Sequence, residues 1–261
     1  MNELRRAWVV QKRVLGALFM REVQIRFGRR NLGFMWLFAE PLIFALPVLM
    51  MWHLLRPAYD RGMALMPFLW SGYLPLLVFR HVTGHELNCI HNNAAVLYHQ
   101  SITPLDAAFA HCGLEALGLI AAMGFSFILF YAINIVPWPN DVTLFLAGIL
   151  YMTWWALVVG LIVAAASERT HMIEHIWPPI SYMYLPVCGF FYLADWLPTR
   201  VRDVALVIIP PLHAYEMIRG GMFGSIIRVY YDVPYLTFLL AALTLLALWL
   251  VRDVRRFIVV D

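Results

Sequence analysis

His171, Met172, Ile173, Glu174 and His175 spell the one short pattern in this chain that a hydrolytic metal site could use. In an H-x-x-E-H arrangement two imidazoles hold zinc and the glutamate handles the proton. Such a site needs a third ligand, for which Glu216 is a candidate. The motif sits in a short polar turn, however, and runs straight into Trp177-Pro178-Pro179, which would break the helix that has to carry both histidines. A polar interfacial turn is the stronger expectation. His81, His85, Glu86 and His91 form a second cluster in a polar connector. Helical spacing alone does not make a ligand set, so a protonatable contact surface is expected there and no metal ligand is assigned.

Other chemistry is excluded by what is missing. No Gly-x-x-x-x-Gly-Lys-Ser/Thr loop is present, and the only lysine, Lys12, stands in the wrong context, so ATP hydrolysis is not expected of this chain and no catalytic residue is assigned. Cys89, Cys112 and Cys188 are odd in number, widely spaced and set in or near apolar runs, which makes them packing residues rather than a disulfide or zinc framework. Basic residues crowd the start of the chain (Arg5, Arg6, Lys12, Arg13, Arg21, Arg26, Arg29, Arg30), leaving no nucleic-acid footprint elsewhere. That arginine-rich start lacks a short apolar core with a small-residue cleavage site and does not read as a removable signal peptide.

These residues are embedded in a chain that is 62% hydrophobic and only 13% charged, against about half and about a quarter in soluble domains. Hydrocarbon is therefore its main solvent, and the long uncharged stretches are membrane spans. The expected fold is an all-α integral membrane protein with six transmembrane helices, an N-terminal amphipathic interfacial helix and a re-entrant segment before the last helix. Residues 1–31 form the cytoplasmic amphipathic helix, with Leu4, Trp8, Leu15, Leu18 and Ile25 on its apolar stripe. The spans are 33–55, 63–79, 107–136, 142–166, 175–194 and 233–251, with a cytoplasmic tail at 252–261. Residues 195–232 are assigned to a re-entrant outer region, because 204–215 is too short a stretch to cross. Basic residues favour the side that holds both termini, which places both ends in the cytoplasm.

Within this frame Glu40 lies inside the first span, where an unpaired carboxylate is costly, so it must face protein, water or a cation such as Arg80 or one of Arg26 to Arg30. Aromatic residues are dense, and most serve as interfacial anchors. Trp70, Trp154, Trp155 and Tyr184 fall deeper, where the belt reading weakens and a lining that stacks on the apolar faces of sugar rings becomes an alternative, with interfacial anchoring still the first reading for any one of them.

Arg21 to Leu42, REVQIRFGRRNLGFMWLFAEPL, resembles the N-terminal signature of the capsule-type polysaccharide export permeases of the ABC-2 transporter family: a charged amphipathic helix, an R-F/Y-G-R turn, L-G-x-x-W, then E-P-L. Ile102-Thr103-Pro104-Leu105-Asp106 and Pro211-Leu212-His213-Ala214-Tyr215-Glu216-Met217-Ile218-Arg219 agree with it in order and place. Pro210-Pro211 departs from the Asn-Pro expected of many relatives.

The resemblance implies a permease subunit in the bacterial inner membrane that pairs with a second copy of itself and moves a lipid-linked, acidic capsular polysaccharide. ATP and Mg would be bound by a separate ATPase subunit, and this chain would hold no cofactor. Arg26, Arg29, Arg30, Trp36, Glu40, Trp70, Tyr73, Arg80, Trp154, Trp155, Tyr182 and Tyr184 would serve the substrate entrance or canal. Phe190, Phe191, Tyr192, Glu216 and Arg219 would form an outer gate, and Tyr98, Ser101, Thr103, Pro104 and Asp106 the surface coupled to the ATPase. Periplasmic co-polymerase and outer-membrane export proteins would receive the polymer. Permeases for O-antigen or teichoic acid share the fold and stay open as alternatives. So do an intramembrane metalloenzyme using His171, Glu174 and His175, and a passive membrane scaffold.

Overall fold

The computed structural model describes residues 2–27, 39, 42–43, 46–51, 54, 59–60, 63–87, 89–93 and 102–254. Helix α1 spans Asn2–Phe27. A two-residue antiparallel ribbon, Tyr59–Asp60 against Met63–Ala64, precedes α2 at Leu65–Glu86. A single turn, α3 at Cys89–Asn92, follows, and α4 runs over Pro104–Ala132. Helix α5 covers Val142–Ser167, α6 Met172–Met183, α7 Thr199–Ile208, α8 Pro210–Phe223 and α9 Val233–Asp253.

Among the described residues, α4, α5 and α9 are the helices both long and apolar enough to cross a membrane. Each starts on a polar residue whose side chain accepts a hydrogen bond from an orphan backbone N–H of the first turn: Thr103 from Asp106, Asp141 from Leu144, Asp232 from Tyr235. Apolar composition sets the length of these helices and the cap sets where they begin.

Helix α2 is the axis of the molecule. Its 22 residues give it a length of about 33 Å, and Trp70, Leu74, Leu76, Val78 and Val82 are almost wholly enclosed by the chain itself. It packs on α4, α5 and α8. Trp70 Nε1 donates to Ser126 Oγ at 3.0 Å, and the indole stacks on Phe145 with ring centroids 6.1 Å apart. The polar edge of a buried tryptophan is thus satisfied from α4 while its face is covered from α5.

Two glycines let α8 reach α5. A Cβ at Gly148 would stand 2.7 Å from the backbone nitrogen of Ile218, and one at Gly221 would stand 2.7 Å from Asp141 O and from Phe145 Cα. Backbone meets backbone there, and every residue of α8 is buried. Helix α9 is held differently: Tyr151 and Thr237 hydroxyls hydrogen-bond at 2.6 Å, and Trp154 Nε1 donates to Thr244 Oγ1 at 3.0 Å. The outward face of α9, with Phe238, Leu245 and Trp249, stays exposed.

Two expectations change. Helix α6 runs through Pro178 and Pro179 to Met183 instead of breaking before them. The fixed φ of proline is itself helical, so the helix continues at the cost of the lost N–H donors and of crowding between each ring and the carbonyl four residues earlier; Ser181 Oγ donates to Pro178 O at 2.7 Å beside them. The stretch 175–194 is helical only as far as Met183 and then turns, with a short 3-10 segment at Ala194–Trp196. The apolar run 204–215 is shared by two helices that meet at Ile209 (φ −116°, ψ 81°), with Pro210 opening α8 at a position where its missing N–H costs nothing.

Helix α1 packs on α4. Leu18 is buried and Leu15 half-buried, whereas Trp8 and Ile25 of the same stripe are exposed among the described residues.

Candidate functional site

Three groups of polar and aromatic side chains stand out. The first lies where α2 faces α6. The Arg80 guanidinium sits 3.9 Å above the ring centroid of Tyr182, a cation–π contact between the two elements. Arg80 Nε is enclosed and makes no hydrogen bond with any described residue. Phe79 meets Tyr184 at 5.1 Å and Trp177 at 6.5 Å, and Tyr73 meets Phe190 at 5.9 Å. The surface beside this cluster is apolar and aromatic: Ile176, Ile180, Tyr182, Met183 and Phe191 are exposed. Of the residues expected to serve a canal, Tyr73, Arg80, Tyr182 and Tyr184 come together here, with Trp155 packed against the same core as Tyr73 and Tyr184.

Trp70 and Trp154 do not join them. Trp70 is 1% exposed in the core, and Trp154 is turned to Thr244 of α9. Arg29, Arg30, Trp36, Glu40, Tyr98 and Ser101, and the side chain of Arg26, lie outside the described residues.

The second group pins the turns after α6. Arg219 is fully buried and donates from Nη1 to Gly189 O at 2.7 Å and to Tyr192 O at 2.5 Å, and from Nη2 to Phe190 O. Its carbon lies 4.0 Å above the Phe68 ring centroid. Three residues earlier, Glu216 accepts at 2.9 Å from Ala194 N with one oxygen and at 2.9 Å from Tyr230 N with the other. A buried charge is tolerable only when hydrogen-bonded; here both Glu216 oxygens and both terminal nitrogens of Arg219 are met by backbone groups, while Arg219 Nε has no hydrogen-bond partner among the described residues. Gly189 at φ 98° needs the freedom of a residue without Cβ. Of the expected outer residues, Glu216 and Arg219 therefore share one helix, and Arg219 holds Phe190 and Tyr192 through their main chain; the Phe191 and Phe190 rings meet tilted at 4.3 Å.

The third group joins α1, α2, α3 and α4. Thr103 and Asp106 form a reciprocal cap: Thr103 Oγ1 accepts from Asp106 N at 3.2 Å, and Asp106 Oδ2 accepts from Thr103 N at 2.8 Å. Gln11 Nε2 donates to the other Asp106 oxygen, and Arg21 Nη1 donates to Asn93 Oδ1 at 2.5 Å. Asp106 and Pro104, expected to face an ATPase, are buried, and Asp106 is engaged in holding α1 to α4. Alongside, His111 Nδ1 donates to Glu86 Oε1 at 2.7 Å, and His85 Nδ1 lies 3.5 Å from Glu115 Oε1. The His81 and His85 rings meet tilted, with centroids 5.6 Å apart. His111 and Glu115 were not marked by the sequence pattern; each is a polar residue in the apolar helix α4, brought to α2 only by folding.

The H-x-x-E-H residues do not build a metal centre. The His171 side chain is 93% exposed, its Nδ1 stands 3.6 Å from Glu174 Oε1, and His175 Nδ1 donates to His171 O at 3.2 Å. Among the described residues no third ligand joins them, and Glu216, the candidate for it, is spent on Ala194 and Tyr230.

An all-α chain with apolar helices of spanning length around a buried axis defines the class, a membrane protein. None of the protein-family models matches the chain. It is 34% identical over 245 residues to the capsule polysaccharide export inner-membrane protein CtrC of Neisseria meningitidis serogroup A, covering 93% of this chain and 90% of that one. It is 32% identical over 253 residues to the capsule polysaccharide export inner-membrane protein BexB of Haemophilus influenzae, covering 95% and 94%. The polysialic acid transport protein KpsM of Escherichia coli is 25% identical over 261 residues. The chain belongs to the family of capsule polysaccharide export inner-membrane proteins.

Proposed function

We propose that this chain is the permease subunit of an ABC exporter that carries a lipid-linked, acidic capsular polysaccharide across the inner membrane. The observation that carries the reading is end-to-end similarity to inner-membrane capsule exporters, which spans α1 through α9 rather than one motif. Capsule names among the relatives favour this substrate class over O-antigen or teichoic acid. The chain itself is not an enzyme in this reading, and ATP with its Mg belongs to a separate subunit.

The canal-facing surface is the α2–α6 cluster, doubled by a second copy of the chain. Arg80 beside Tyr182 offers a cation for a sugar carboxylate or phosphate and a ring for the apolar face of the sugar. The turns pinned by Glu216 and Arg219, with α7 and α8, form the outer re-entrant region within a six-span topology with both ends cytoplasmic. Basic residues concentrated at the two termini support that orientation. The ATPase docks near the Thr103 cap, so Asp106 acts there as the anchor of α1 and not as a direct contact. Onward transfer falls to periplasmic and outer-membrane partners.

The test is deletion of this gene alone, followed by separate measurement of surface and internal polysaccharide with synthesis genes intact. Internal accumulation, rescued by the wild-type chain and not by one lacking residues 98–106, supports an ATPase-coupled permease. Unchanged surface polymer in a strain without a related permease overturns it.

A further inference from the structure

We propose that Glu86, Cys89 and His111 bind a divalent cation of the Zn2+ class at the junction of α2, α3 and α4. Each offers one ligand atom, and these atoms all lie within 4.8 Å of one another. Tetrahedral bonds of about 2.0–2.3 Å set ligand atoms about 3.3–3.8 Å apart, so side-chain adjustments of about 1 Å close the set around one ion.

Burial is the stronger argument. Glu86 is fully enclosed and Cys89 is 2% exposed. His111 donates to Glu86 Oε1, whereas the thiols of Cys89 and Cys112, weak donors that also face this carboxylate, do not reach Oε2 in full hydrogen-bond geometry. The Glu86 stem packs beside Gly160. A carboxylate held out of water with only weak thiol contacts to one oxygen is costly, and a bound cation removes that cost while converting the neighbouring thiol to thiolate.

The donor set selects the ion. Thiolate with imidazole disfavours Mg2+ and Ca2+, which take oxygen ligands, and suits Zn2+ or Co2+. Three protein ligands leave a fourth position for water. Glu86 ends α2, Cys89 opens α3 and His111 lies in α4, so one ion would tie together three elements that already pack on one another. The neighbouring trio of His81, His85 and Glu115 is more open, with the His85 side chain 42% exposed, and is not part of this site. The proposal does not depend on the export reading.

The test uses the full chain purified in detergent and titrated with Co2+, then Zn2+. One Co2+ per chain, a thiolate-to-cobalt charge-transfer band and its displacement by Zn2+ are expected in the wild type. The band should be lost in Cys89→Ser, be weakened at least tenfold in affinity in His111→Ala, and persist in Cys188→Ser. Absence of the band from the folded wild-type chain overturns the site without reference to any variant. Persistence of the band in Cys89→Ser overturns it as well.

Discussion

Arg219 reaches Gly189 across 30 positions of sequence, its Nη1 standing 2.7 Å from the glycine carbonyl. The contact fixes a turn with a buried charge whose hydrogen bonds, among the described residues, go to main-chain oxygens. Arg219→Ala would open a buried space and leave those carbonyls unsatisfied, costing about 1–3 kcal/mol for each one that finds no new partner. Arg219→Lys should recover little, since an ammonium cannot present a planar fork to three carbonyls. Thermal unfolding of the purified chain should show both variants well below the wild type, and an unchanged Lys variant would contradict the fork geometry.

Close approach of α5 and α8 predicts a contrast among glycines. Gly148→Ala and Gly221→Ala force backbone apart and should each lower stability by about 1–3 kcal/mol, in the range for overpacking. Gly124→Ala in α4, where an added Cβ meets nothing within 4 Å, should be neutral or gain up to about 1 kcal/mol in helix propensity. Melting temperatures of the three variants in one detergent decide the matter.

Cation–π contact at Arg80 separates ring from hydroxyl. Tyr182→Phe keeps the ring and should export polymer at the wild-type rate, whereas Tyr182→Ala and Arg80→Ala should each lower surface polysaccharide severalfold at equal chain abundance. Equal export by all three would remove this pair from the substrate path.

Asp106 carries two duties, capping α4 and accepting from Gln11. Asp106→Ala should cost about 1–2 kcal/mol and free α1 from α4, whereas Thr103→Ala should cost about 1 kcal/mol and leave the Gln11 contact in place. Protease cutting within the first 27 residues is the readout, with faster cleavage expected only in the Asp106 variant.

Two of the apolar helices were legible in the sequence, where one physical signal dominated. The uncharged stretches 142–166 and 233–251 became Val142–Ser167 and Val233–Asp253, because apolar length and an aspartate cap agreed on the same helix. The division at Ile209 was not legible: an apolar dozen residues carries no mark of how it will be shared between two helices. Proline at 178 and 179 pointed to a break that did not occur, since its ring forbids an N–H donor and not a helical φ. At the candidate site, aromatic density was visible but its direction was not. Trp70 and Tyr182 look alike in a hydropathy pattern, yet one fills the core and the other faces out. The pairing of Glu86 with His111 had no local signal at all, because the two meet only when α2 and α4 pack.

The two hydroxyl and indole bonds between α5 and α9 also settle an azimuth. Thr237 and Thr244 are seven residues apart, two turns of one helical face, and Tyr151 and Trp154 meet them in matching order. A slip of α9 by a single residue would rotate it by about 100° and sever both bonds at once. Phe238, Leu245 and Trp249 are consequently a face with a fixed compass bearing, presented in one direction however loosely the surrounding apolar side chains grip the helix.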